Sequence, residues 1–219
     1  MMFSDSRDGA LRWGAVSVGA RTRAAVGDRL ALIDHPRAGF ALIVADGAGG
    51  IPGGARAAER SVGRARGFTE SFAGPFDAPA WSGFLGDLDL SLADDPQCGE
   101  AAVLALSVTP TRVIGARVGD VGAWCVSNGR ATSLVYGSRG GDRAGSRLAV
   151  PEVIDEPWSG TLVVATDGWW RATDAQQALA EVEALALEDA CERLVARVTG
   201  PSGERGDDVT VVLVRRPAR

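Results

Sequence analysis

Ala41-Leu42-Ile43-Val44-Ala45-Asp46-Gly47-Ala48-Gly49-Gly50 runs through five apolar residues to a single aspartate and turns at once on glycine. A continuous apolar run closed by a turn signal suits a buried strand. Thr161-Leu-Val-Val-Ala-Thr-Asp167-Gly168-Trp169 repeats the shape, and Asp207-Asp208 leads straight into the apolar stretch from Val209 to Val214. Carboxylates thus stand at the ends of several expected strands. Gathering them along one edge of a sheet is a way to hold metal ions.

Outward from that stretch, Gly14 to Val18 and Arg29 to Asp34 read as short strands. Ala55 to Arg66 is alanine-rich with charges on one side and reads as a helix. Trp81, Phe84, Leu85, Leu88 and Leu92 recur at helical spacing between Phe76 and Leu92, and Asp94-Asp95-Pro96 ends that element. Four strand-like runs follow: Ala101 to Val108, Arg112 to Val118, Gly122 to Val126 and Ala131 to Val135. Thr109-Pro110 and Asn128-Gly129 are the turns between neighbours. Tyr136 to Gly145 and Gly200 to Gly206 read as loops. Asp174 is the expected N-cap of one long helix through Arg197. Strict alternation of strand and helix is absent, which argues for an α+β layered sandwich. No internal repeat or long linker divides the chain, so residues 1–219 are expected to form one domain.

Composition narrows the function. With 219 residues and 46% hydrophobic content the chain can bury a sizeable core. A net charge of −5 carries no electrostatic footprint for nucleic acid. No stretch has membrane-spanning length and the N-terminus lacks the apolar core of a signal peptide, so a cytoplasmic location is expected. Cys98, Cys125 and Cys191 are widely spaced and are expected to be reduced, buried thiols. The single histidine, His35, lies in Asp34-His35-Pro36-Arg37, a turn composition that points to a surface role.

Chemistry without histidine directs attention to the aspartates. Two carboxylates about 4 Å apart repel by roughly 4 kcal/mol at an effective dielectric near 20. A group of Asp46, Asp167 and Asp207 would stay ionised only with positive charge among them. Mg²⁺ or Mn²⁺, hard cations that take oxygen ligands, supply it. Two such ions can share a bridging carboxylate and activate a water between them. Glycine after Asp46 would let a backbone carbonyl approach an ion without a side chain intruding.

These residues resemble motifs of the metal-dependent protein phosphatase 2C family, in the same order over nearly the whole chain. Val44-Ala-Asp46-Gly47-Ala-Gly-Gly50 is similar to the V-A-D-G-M-G-G of bacterial members. Val118-Gly119-Asp120-Val121-Gly122 resembles their G-D-S-R, with Val121-Gly122 where Ser-Arg is usual. Ala165-Thr-Asp167-Gly168-Trp-Trp170 resembles S-D-G-L-W, and Gly206-Asp207-Asp208-Val-Thr-Val-Val212 resembles D-N-I-T-V-V. Arg23-Ala-Ala-Val26-Gly27-Asp28 stands where the family has R-x-x-N-E-D, without its Asn and Glu.

The resemblance implies a four-layer α-β-β-α sandwich of two antiparallel sheets flanked by helices. It also implies a phosphoserine/phosphothreonine protein phosphatase with two Mn²⁺ or Mg²⁺ ions and a weaker third. Asp46 would bridge two ions, the Gly47 carbonyl would bind one, and Asp167 and Asp207 would complete the other. Asp28 would hold metal-bound water, and Asp120 would serve the third ion with Asp167. Arg23 would grip phosphate, with Arg21 a competing choice. Asp208 in place of Asn would add negative charge beside the site. Residues 134–149 are short for the substrate flap of bacterial members. A phosphorylated protein is the implied partner, with a cognate serine/threonine kinase behind it. The alternatives are a weakened phosphoprotein-binding relative and a phosphatase of small metabolites.

Overall fold

The computed structural model describes residues 1–20, 27–34, 39–71, 76–135, 142–201, 203 and 205–217. Arg21, Arg23 and His35, and most of the loop expected from Tyr136 to Gly145, lie outside them.

Two compact units divide the chain. One comprises Met1–Val26, Gly122–Val135 and Trp158–Arg219; the other comprises Gly27–Val121 and Tyr136–Pro157. In the second unit, β3 (Arg29–Asp34), β4 (Phe40–Gly47), β5 (Ala101–Val108), β6 (Arg112–Val118) and β9 (Glu152–Pro157) form an antiparallel sheet in the order β3-β4-β5-β6-β9. Helices α1 (Gly54–Ser71) and α2 (Ala78–Ala93) belong to the same unit. Side chains alternate across a strand, so Ala41, Ile43 and Ala45 of β4 join Trp81, Leu85, Leu88 and Leu92 of α2 in one core. Leu42 and Val44, on the opposite face, are also fully buried. Asp77 caps α2 by accepting from Ala80 N at 2.9 Å, which is why the helix begins at Ala78.

In the first unit, β1 (Met2–Asp5), β2 (Arg12–Val18), β7 (Gly122–Ser127), β8 (Arg130–Ser133), β10 (Thr161–Ala165) and β11 (Val209–Arg215) form an antiparallel sheet in the order β1-β2-β11-β10-β7-β8. Its helices are α3 (Asp167–Trp170), α4 (Ala175–Val182) and α5 (Leu187–Ala196). Val209, Val211 and Leu213 pack with Leu179, Val182 and Leu194. Two antiparallel sheets, each with helices of its own, make the mixed α+β fold expected. No described helix is long and apolar enough to cross a membrane.

Four features depart from expectation. The helix expected from Asp174 to Arg197 is two, α4 and α5. Arg215 donates to the carbonyls of Val182 (3.0 Å) and Leu185, and Glu183 accepts from Asn128 N at 2.8 Å. The two carbonyls are groups that a continuous helix would use internally. Strands β1 and β9 go beyond the expected elements; β9 follows Pro151, ends on Pro157 and lacks a strict alternation of apolar and charged residues. Of the three thiols only Cys191 is buried, which raises its pKa to about 12 and keeps it protonated; Cys98 and Cys125 are half-buried.

One buried acid organises α2. Asp89, 4% exposed, accepts from Gly145 N (2.7 Å), Arg147 N (3.0 Å) and Ala149 N (3.3 Å). The first two donate to Oδ1 and the third to Oδ2. Asp89→Ala is expected to cost about 2–4 kcal/mol in urea unfolding, because three amides lose their acceptor. Asp89→Asn is expected to cost less, since a carbonyl oxygen can still serve Gly145 and Arg147. Equal losses would contradict the assignment.

Candidate metal and phosphate site

Register gathers the acidic residues of the second unit. Arg29 pairs with Ala45, Asp46 with Ala102, Gly47 with Ala101, and Val103 with Val118. The start of β3, the end of β4, the start of β5 and the end of β6 therefore share one end of that sheet. Asp28 directly precedes β3, Asp46 is the penultimate residue of β4, and Asp120 follows β6 by two residues. Asp28 and Asp120 are buried and Asp46 is half-buried.

The backbone around Asp46 is packed too closely for side chains. A Cβ at Gly47 would overlap the Gly54 carbonyl and lie 2.8 Å from Ala55 N. Gly54 is equally constrained by Ala48. The glycines thus bring the end of β4 against the start of α1, and Ala48 N donates to Glu100 O at 2.9 Å. Gly119 has φ +77°, a conformation that favours glycine, and a Cβ there would meet Ala102 Cβ at 2.6 Å. Asp120 forms an ion pair with Arg143, Oδ2 to Nη2 at 3.4 Å.

The first unit has its own acidic end. Ala165 pairs with Val211 and with Gly122, and Val209 pairs with Val18. Asp167 begins α3 just beyond β10, and Asp207-Asp208 lead into β11. A Cβ at Gly168 would overlap the Asp208 carbonyl and lie 3.1 Å from Asp207 Cβ, so these two chain segments touch. Thr210 N donates to Thr166 Oγ1 at 2.9 Å and Thr166 N to Thr210 O at 3.0 Å. Trp169 is fully buried, and its indole donates to Leu194 O at 2.9 Å. That anchor fixes the turn carrying Asp167. Asp167 pairs with Arg171, Oδ2 to Nη1 at 3.4 Å, and the Arg171 guanidinium lies 5.2 Å from the Trp170 ring centre.

Asp208 is 2% exposed and accepts from Ala20 N at 2.7 Å, which fixes the backbone after β2. Asp207 Oδ1 accepts from Asp208 N at 2.8 Å.

The donor set, carboxylates and backbone carbonyls, suits a hard divalent cation. Among the described residues, no group of three or more His, Cys, Asp or Glu side chains is gathered closely enough to hold one as it stands. Asp28, Asp46 and Asp120 share one sheet end, and Asp167 and Asp207 share another. Sequence reasoning singled out neither Arg143, Arg171 nor Asp89. Asp89 could have been found as an acid inside the apolar stripe of α2, four residues after Leu85.

No protein-family model and no curated protein matches the sequence. Solved structures do match. A bacterial serine phosphatase aligns with a TM-score of 0.81 at 12% identity, over 94% of this chain and 98% of its own. Serine/threonine phosphatase Stp1 from Staphylococcus aureus aligns with a TM-score of 0.79 at 12% identity, over 94% and 95%. The catalytic domain of serine threonine protein phosphatase PstP, in complex with two manganese ions, aligns with a TM-score of 0.75 at 16% identity, over 94% and 97%. The chain therefore has the fold of the bacterial serine/threonine phosphatases.

Proposed function

We propose that this chain is a divalent-cation-dependent phosphatase that removes phosphoryl groups from phosphoserine and phosphothreonine in proteins. The observation that carries the reading is the placement of Asp28, Asp46 and Asp120 at one end of one sheet and of Asp167 and Asp207 at one end of the other. The likeness in fold to phosphatases, one in complex with two manganese ions, supports it.

In this reading residues 1–219 act as one catalytic domain. Asp46 would be the carboxylate shared by two Mn²⁺ or Mg²⁺ ions, the Gly47 carbonyl would serve one, and Asp167 and Asp207 would serve the other. Asp28 would order water beside them and Asp120 would serve a weaker third position. When bound, such ions activate water and neutralise charge on the phosphoryl group. Arg23 grips the phosphoryl oxygens through its planar fork. A phosphoprotein is the substrate, a serine/threonine kinase is its source, and the cytoplasm is the setting.

Hydrolysis of an aryl phosphate and of phosphopeptides, with and without Mn²⁺, tests the proposal. Mn²⁺-dependent turnover of both is expected. Absence of turnover on every phosphorylated substrate overturns it. Gly27 in place of glutamate favours a second reading, a phosphoprotein-binding relative without turnover. Calorimetry showing Mn²⁺ and phosphopeptide binding without hydrolysis would select that one.

A further inference from the structure

Two arginines lie against carboxylates assigned above to the cation. Arg171 stands one helical turn after Asp167, and their side chains meet at 3.4 Å. Its guanidinium also stacks on Trp170, and it is 46% exposed. Arg143 meets Asp120 at the same distance, with Asp120 2% exposed and Arg143 32%.

Arg143 is held there by built features. Ala144 and Ala101 exchange two backbone hydrogen bonds at 3.0 Å, which docks the Arg143 segment beside the start of β5, opposite Gly47. Asp89 fixes the backbone from Gly145 to Ala149. The Arg143 Cγ lies 3.3 Å from where a Cβ of Gly119 would be, against the turn that carries Asp120.

Each pair is a single contact at 3.4 Å, looser than the short bidentate geometry of a strong arginine–carboxylate pair. A carboxylate oxygen that coordinates a hard divalent cation is no longer available to a guanidinium at full strength. We infer that Arg143 and Arg171 are built-in counter-cations that compete with the divalent ion for Asp120 and Asp167, and so set how tightly this chain binds metal. The inference rests on the proposed assignment of those two carboxylates to the ion. Ion binding displaces each guanidinium from its carboxylate oxygen; no covalent bond changes.

The test is calorimetric titration with Mn²⁺ of the full chain and of Arg143→Gln, Arg171→Gln, Arg143→Lys and Arg171→Lys, paired with thermal melts in the absence of Mn²⁺. Arg112→Gln is the control, because Arg112 pairs with Asp155 at the opposite end of β6. Each Gln variant is expected to bind Mn²⁺ about five- to tenfold tighter, in line with the loss of one part-buried charge pair. The Lys variants and Arg112→Gln are expected to stay within about twofold of the parent. Without Mn²⁺, Arg143→Gln is expected to melt a few degrees lower, because a buried carboxylate loses one charged neighbour, and to gain more on adding Mn²⁺. If Arg143→Gln does not fold, the exposed Arg171 carries the test. Unchanged or weaker Mn²⁺ affinity in a Gln variant overturns the assignment for that arginine. Absence of Mn²⁺ binding in every protein overturns the metal-site reading itself and this inference with it, a result distinct from equal binding by all.

Discussion

Asp46→Asn is expected to lower the proposed Mn²⁺-dependent phosphopeptide hydrolysis by about a thousandfold or more while the protein still folds. The asparagine side chain has the size of aspartate but no charge. In the proposed site Asp46 would be the ligand shared by both ions, so its neutralisation would weaken the hold on both. The fold tolerates the change because the pairing of Asp46 with Ala102 is backbone to backbone, and the side chain is only half-buried at a strand end. Rates at saturating Mn²⁺, together with a thermal melt, check it. A loss below tenfold with an intact fold would remove Asp46 from the bridging role. Loss of the fold would assign Asp46 a structural function instead.

The largest stability effect is expected at Trp81. Its side chain is fully buried, with ring centres of Phe68, Phe76 and Phe84 at 5.4, 5.5 and 5.9 Å. Its indole donates to Ser107 Oγ on β5 at 2.9 Å, so it ties α2 to the sheet that presents Asp46. Trp81→Ala removes that packing, leaves a cavity and takes away the donor to Ser107. The expected cost is about 3–5 kcal/mol, or roughly 6–20 °C in melting temperature for a chain of this size. Leu90→Ala, on the same helix but 51% exposed, is expected to cost less than about 0.5 kcal/mol. Equal losses at the two positions would show that the aromatic cluster does not hold α2 in place.

Much of this was legible in the chain. The apolar run before Asp46 became β4, and the run before Asp167 became β10, because long aliphatic stretches closed by turn residues have few other solutions. The stripe of Trp81, Phe84, Leu85, Leu88 and Leu92 became the buried side of α2. Local pattern failed where distant residues supply the hydrogen bonds. At the break between α4 and α5, Arg215 takes up the Val182 and Leu185 carbonyls and the Glu183 side chain binds the Asn128-Gly129 turn, both remote in sequence. The hydrogen bond by which Asp208 holds Ala20 spans the two ends of the chain and has no local signal.

By itself the sequence determined which residues end strands and which helix faces are apolar, since both follow from short-range periodicity and turn chemistry. It also supplied the oxygen-rich donor set, since that depends only on residue type. Tertiary structure decided the register that brings Asp28, Asp46 and Asp120 to one sheet end, and the positions of Arg143 and Arg171 on two of the acids. Those outcomes depend on strand pairing and on buried side-chain partners, such as Asp89 beneath the Arg143 segment, that are far apart in the chain. No local pattern encodes which distant partner will satisfy a buried charge.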